Sequence, residues 1–179
     1  MRPLVDRARL ENFLSELGRQ AEAPTHLFLV GGSTALWHGW RATTVDIDVR
    51  IEPDSGAVAR AIPELKDRLG VNVELASPLD FLPPLPEWRE RSRFLLQEGR
   101  LAIFEFDLYS QALAKIERGF ETDLADVRCM LAEDLVEPAK LRSLFQAIVG
   151  ELYRFPAVDA GALAEDLDRA LAPERGLEP

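Results

Sequence analysis

Cysteine is almost missing from this chain: Cys129 is the one thiol in 179 residues. That excludes a disulfide framework and leaves no zinc-ligand spacing, so Cys129, in Val-Arg-Cys-Met-Leu, reads as a small buried hydrophobe. No apolar run approaches the roughly 20 residues of a membrane span. The opening MRPLVDRARLENFL has no uninterrupted apolar stretch, so a signal peptide is not expected and a cytoplasmic location is. Basic charge is in deficit: 21 Lys and Arg face 31 Asp and Glu, for a net charge of -10 and a pI near 4.8. That balance argues against a broad nucleic-acid-binding face. Two phosphate-binding fingerprints are also missing. There is no G-x-G-x-x-G for a dinucleotide and no Gly-Lys-Ser/Thr for a P-loop. Internal repeats and low-complexity segments are absent as well.

What remains is a globular composition, 47% apolar and 29% charged, long enough to bury a core without staples. Periodicity predicts a helix over 4–20 with Leu10, Phe13, Leu14 and Leu17 on one stripe. Strands are expected at His26–Val30, Thr44–Ile51 and Val71–Leu75, and a helix near 55–69. Residues 76–87 hold Pro78, Pro83, Pro84 and Pro86 and should be irregular. Arg93–Gln97 and Arg100–Asp107 flank Glu98-Gly99, a hairpin signal. Helices are expected at Ser110–Gly119, Glu121–Ala132, from Pro138 through Leu152, and at 160–172. The outline is α/β (α+β): a small mixed sheet flanked by helices over 1–109, then a C-terminal helical subdomain over 110–179.

The informative pair is Leu29-Val30-Gly31-Gly32-Ser33 and, further on, Asp46-Ile47-Asp48. A strand that stops at two glycines and opens a helix leaves backbone N–H groups aimed one way. Those donors and the helix dipole favour phosphate, and glycine lets the backbone approach it. Ser33 adds a hydroxyl and is expected to cap a helix over Thr34–Gly39. In a strand, residues two apart face the same side. Asp46 and Asp48 therefore project together, with Val45, Ile47 and Val49 expected in the core. Adjacent carboxylates repel unless a cation joins them, and Mg²⁺ takes a few carboxylate oxygens plus substrate phosphates. Asp166-Leu167-Asp168 has the same spacing but falls in an expected helix, where such residues do not face each other.

These residues resemble the nucleotidyltransferase superfamily with the DNA polymerase β-like fold: Gly-Ser, a helix, then Asp-x-Asp on a strand. FLVGGSTALWHGWRATTVDIDV is similar to the first motif of small bacterial nucleotidyltransferases of the toxin–antitoxin and abortive-infection type, the AbiEii-like and DUF6036-like groups. FDLYSQALAKIERGFETDLADVRCML is similar to their second, a helical lysine followed by basic residues and Asp-x-x-Asp. The tail, EDLVEPAKLRSLF and LYRFPAVDAGAL, resembles one branch of this group. The resemblance implies a nucleotidyltransferase fold, Mg²⁺ or Mn²⁺ at Asp46 and Asp48, and an NTP held at Gly31, Gly32 and Ser33. It also implies contacts from Lys115 and Arg118 to nucleotide phosphates, and an acid at Asp123 or Asp126. Many members carry a third carboxylate on a later strand, for which Glu74, Glu105 and Asp107 compete here.

The implied reaction is transfer of NMP from NTP to a tRNA or other RNA end, or to a protein hydroxyl. An RNA acceptor needs a basic groove, and Arg89, Arg91, Arg93 and Arg100 form the dense basic stretch. The alternative is an inactive fold that binds a cognate toxin or antitoxin through its helical half. Lys115 and Arg118 also read as a solvated helix face, and Asp123 and Asp126 as acids favouring a helix start. His38 reads as a structural histidine before a catalytic one, and Trp37 and Trp40 beside Arg41 as core before base-stacking rings.

Overall fold

The structure, a computed structural model, describes residues 3–54 and 56–172. Residue 55, the expected start of a helix, and the chain ends lie outside the described residues. The chain divides into two compact units, one of 1–80 with 87–107 and one of 81–86 with 108–179.

The first unit runs α1 (Arg7–Gln20), β1 (Thr25–Leu29), α2 (Gly31–His38), β2 (Asp46–Glu52), α3 (Gly56–Leu69), β3 (Asn72–Leu75), a 3-10 turn (Pro78–Asp80), α4 (Trp88–Arg91), β4 (Arg93–Glu98) and β5 (Leu101–Glu105). Asp6 starts α1 by accepting the Arg9 N–H at 2.9 Å, the usual way an orphan donor is satisfied. The strands form one sheet ordered β3-β2-β1-β5-β4. β1 runs antiparallel to β2 and parallel to β5, β3 is parallel to β2, and β4 is antiparallel to β5. The mixed α/β architecture expected from the sequence is the one observed.

Strand alternation gives the sheet two faces. Leu27, Leu29, Ile47, Val49, Val73, Leu101 and Ile103 form one, buried with the expected stripe of α1 and with Val58, Ala61, Ile62 and Leu65 of α3. The opposite face carries Phe28, covered by Trp88 and Phe106, and on β2 the side chains of Asp46, Asp48 and Arg50. Val45 departs from expectation. It precedes β2 and is 63% exposed, because the alternation that would have buried it begins one residue later. The short helix α4, for which no element was expected, is a second departure.

The second unit is helical: α5 (Leu108–Arg118), α6 (Glu121–Ala132), α7 (Pro138–Ile148), a 3-10 segment (Val149–Arg154) and α8 (Ala160–Ala170). Pro138 occupies the first turn of α7, where its missing N–H costs nothing. Asp159 caps α8 by accepting the Ala162 N–H at 2.8 Å. Leu141, Phe145, Ile148 and Leu152, on the stretch expected to be helical from Pro138, are buried. Cys129 is half-buried rather than buried, since α6 turns Val127 and Met130 inward instead. Asp168 is solvent-exposed, paired at 3.1 Å with Arg142, as expected for the helical Asp-x-Asp.

Candidate nucleotide and metal site

α2 begins at Gly31, directly after β1. Gly31 has φ of +54°, a left-handed conformation that strains any residue with a side chain. A β-carbon there would lie 2.8 Å from Asp48 Oδ2; at Gly32 it would lie 2.3 Å from Thr44 Oγ1 and 3.2 Å from Asp48 Oδ2. Both glycines are therefore required by the close approach of β2 and the residues leading into it. Three hydrogen bonds fasten the turn to β2. Gly32 N–H donates to Asp48 Oδ2 at 2.8 Å, Asp48 N–H donates to Ser33 Oγ at 2.8 Å, and Val30 N–H donates to the Asp48 carbonyl at 3.2 Å.

Ser33 does not cap the helix. The extended Val30 is the N-cap and makes no side-chain cap bond. Two glycines can enter the helical turn ahead of the serine, so Ser33 falls inside it, with no exposed surface.

Asp46 and Asp48 share a face of β2, each half-buried and alternating with the buried Ile47 and Val49. Asp46 Oδ1 accepts from Asn72 Nδ2 at 2.8 Å. The β2–β3 register sets Asp46 beside Asn72 and Asp48 beside Glu74, so all four side chains project from the same face. Glu74 is exposed. Among the described residues no group of three or more His, Cys, Asp or Glu is placed to share a metal ion. Two hard carboxylates side by side nonetheless suit Mg²⁺, which keeps several waters and binds through one or two carboxylates plus substrate phosphates. The donor set fits that ion.

The other candidates for a third carboxylate are committed elsewhere. Glu105 pairs in register with Leu29, and Leu29 with Val49, which places it on the core face, opposite Asp48. Its carboxylate meets His38 Nε2 and lies 3.5 Å from Arg93. His38 also stacks on Trp40 at 4.3 Å, so both its ring nitrogen and its ring face have partners. Trp37 packs against the core beneath the Arg7 guanidinium, 3.5 Å from its ring centre. Asp107 lies beyond the end of β5, is fully buried, and accepts from Arg91 Nε and NH2 at 2.9 Å each.

The four arginines are likewise engaged separately. Arg89 donates to Glu52 at 3.1 Å, Arg91 holds Asp107, Arg93 faces Glu105, and Arg100 donates to the Glu22 carbonyl. Each partner comes from a distant part of the chain.

In the second unit Lys115 is buried rather than solvated. Its ammonium donates to Asp123 Oδ1 at 3.0 Å and Asp126 Oδ2 at 2.6 Å, and Arg118 donates to Asp123 Oδ1 at 2.9 Å. Both Asp123 and Asp126 hold the lysine, and with Arg118 the four charges balance. Such burial is tolerable only with this pairing.

Residues 8–155 match the family described as "Nucleotidyltransferase of unknown function (DUF6036)". The chain belongs to this family. The match spans the glycine turn, both strand carboxylates and the Lys115 cluster. Membership in a nucleotidyltransferase family implies transfer chemistry with an NTP substrate. No curated protein and no solved structure matches the chain. No helix among the described residues is long and apolar enough to cross a membrane.

No motif of the chain singles out Thr44, Asn72 or the His38–Glu105 contact. Thr44 and Asn72 each stand two residues before a carboxylate, Asp46 and Glu74, so strand alternation was the available signal. Nothing local announces that Glu105 meets His38.

Proposed function

We propose that this chain is a Mg²⁺-dependent nucleotidyltransferase that transfers NMP from an NTP to an acceptor hydroxyl, of an RNA end or of a protein. The observation that carries the reading is the glycine turn bonded directly to a strand whose two carboxylates share one face. Asp46 and Asp48 would hold the metal, with Mn²⁺ as a substitute. When bound, the metal supplies charge neutralisation along the triphosphate. The Gly31-Gly32 turn would bring the positive end of α2 to the β- and γ-phosphates, and the Gly32 N–H, which donates to Asp48 Oδ2, would be shared with them.

In the transfer, the acceptor oxygen forms a bond to the α-phosphorus. The bond from that phosphorus to the β-bridging oxygen breaks, and pyrophosphate leaves with the electron pair. The acceptor proton needs a base. Glu74 is our candidate, on the strand beside Asp48, exposed and on the same face. Lys115 has a different part from the phosphate contact implied by resemblance. Held by Asp123 and Asp126, it fixes α5 to α6.

A second reading, a nucleotide-binding module that docks a toxin or antitoxin without turnover, draws support from Glu105 and Asp107 being tied in ion pairs. Incubation with labelled NTPs, total RNA and Mg²⁺, with nucleic acid and protein then resolved on gels, separates the readings. Label on either class supports transfer and names the acceptor. NTP binding with no labelled product supports the module.

A further inference from the structure

Resting on that proposed function, we propose that Thr44, not Ser33, is the hydroxyl that contacts the bound triphosphate. Ser33 stands in the turn where such a hydroxyl is expected, but it has no exposed surface, and its oxygen accepts the Asp48 amide hydrogen at 2.8 Å. An atom that water cannot reach cannot meet a phosphate oxygen unless α2 shifts. Ser33 is a fastening between α2 and β2.

Thr44 has the complementary properties. It is half-buried rather than closed off. Its backbone is pinned on both sides, with Thr44 N–H donating to the Val5 carbonyl and Val5 N–H donating to the Thr44 carbonyl, each at 2.8 Å. Val5 is itself fully buried, so the position of Thr44 is set by the core. Its Oγ1 lies over Gly32, 2.3 Å from where a β-carbon would be, and Asp48 Oδ2 is 3.2 Å from the same point. The hydroxyl makes no hydrogen bond to another described residue, so its proton is available. A donor held against the glycine whose N–H faces the metal carboxylate is placed for a phosphate oxygen that enters beside them.

The test uses the full chain and titrates MgATP and magnesium-bound inorganic triphosphate by calorimetry, with melting temperature measured in parallel. Thr44→Val, which keeps the shape and removes the hydroxyl, should weaken both ligands about ten-fold, as loss of one hydrogen bond to a charged group does, without lowering the melting temperature. Thr44→Ser should restore affinity to about that of the parent chain. Equal weakening of ATP and inorganic triphosphate places the contact on phosphate rather than on the base. Ser33→Ala, which removes the bond to the Asp48 amide, should lower the melting temperature. Unchanged binding by Thr44→Val, or failed rescue by Thr44→Ser, overturns the assignment and leaves the nucleotidyltransferase reading standing. Failure of the parent chain to bind either ligand overturns both.

Discussion

The carboxylate of Asp48 accepts the amide hydrogen of Gly32 at 2.8 Å. The group proposed to hold the metal and the donor proposed to hold phosphate therefore satisfy each other. Asp48→Asn keeps an acceptor for that amide but removes the charge. It should stay within about 1 kcal/mol of the parent in urea denaturation and lose Mg²⁺-dependent turnover. Asp48→Ala leaves the amide without its partner and should cost about 1–3 kcal/mol. Equal stability of the two variants would show that the bond contributes nothing to the fold.

The two glycines should not tolerate alanine. Gly31→Ala meets left-handed strain of about 1–2 kcal/mol and a contact with Asp48 at 2.8 Å; Gly32→Ala meets Thr44 at 2.3 Å. Both should lower the melting temperature and weaken triphosphate binding. Gly39, with φ of +80° and open space around its α-carbon, is the control. Gly39→Ala should cost stability alone and bind triphosphate normally.

Lys115 is predicted to matter first for folding. Lys115→Met takes the ammonium away from the buried Asp123 and Asp126, of which Asp123 keeps Arg118, and breaking such a buried pair typically costs about 3–5 kcal/mol. Adding Asp126→Asn should recover part of the loss. Arg128→Ala, at the exposed pair with Glu121, should cost about 0–1 kcal/mol. Chemical denaturation of the three variants checks the ranking.

Glu52 ties stability to acid pH. Burial alone would raise its pKa, but hydrogen bonds and charge from Arg50 and Arg89 outweigh this and hold it below the ordinary value of 4.5. A lowered folded-state pKa adds stability that is present above the unfolded value and lost as pH falls through the folded one. Melting temperatures measured downward from pH 5 should fall more steeply for the parent chain than for Glu52→Gln. Parallel curves would contradict the assignment.

Much of this was legible along the chain because alternation is a local property. Ile47 and Val49 turn inward and Asp46 and Asp48 outward by period alone, and the α1 stripe is equally local. The sheet order was not legible, because it depends on β5 returning beside β1. Lys115 reads as solvated from its own helix, since its burial depends on α6 presenting two aspartates to it. Arg91 reads as one of a basic stretch until Asp107 is brought to it. Ser33 reads as a cap because the pattern cannot tell that two glycines will enter the helix first.

The central claim is that Asp46 and Asp48 form the metal site of a nucleotidyl transfer reaction. The most direct measurement is pyrophosphate release from NTP, with Mg²⁺ present or chelated, by the parent chain and by Asp46→Ala/Asp48→Ala. Metal-dependent release by the parent that disappears in the double variant, while that variant remains folded, is the predicted result. Undiminished release by the folded double variant would contradict it.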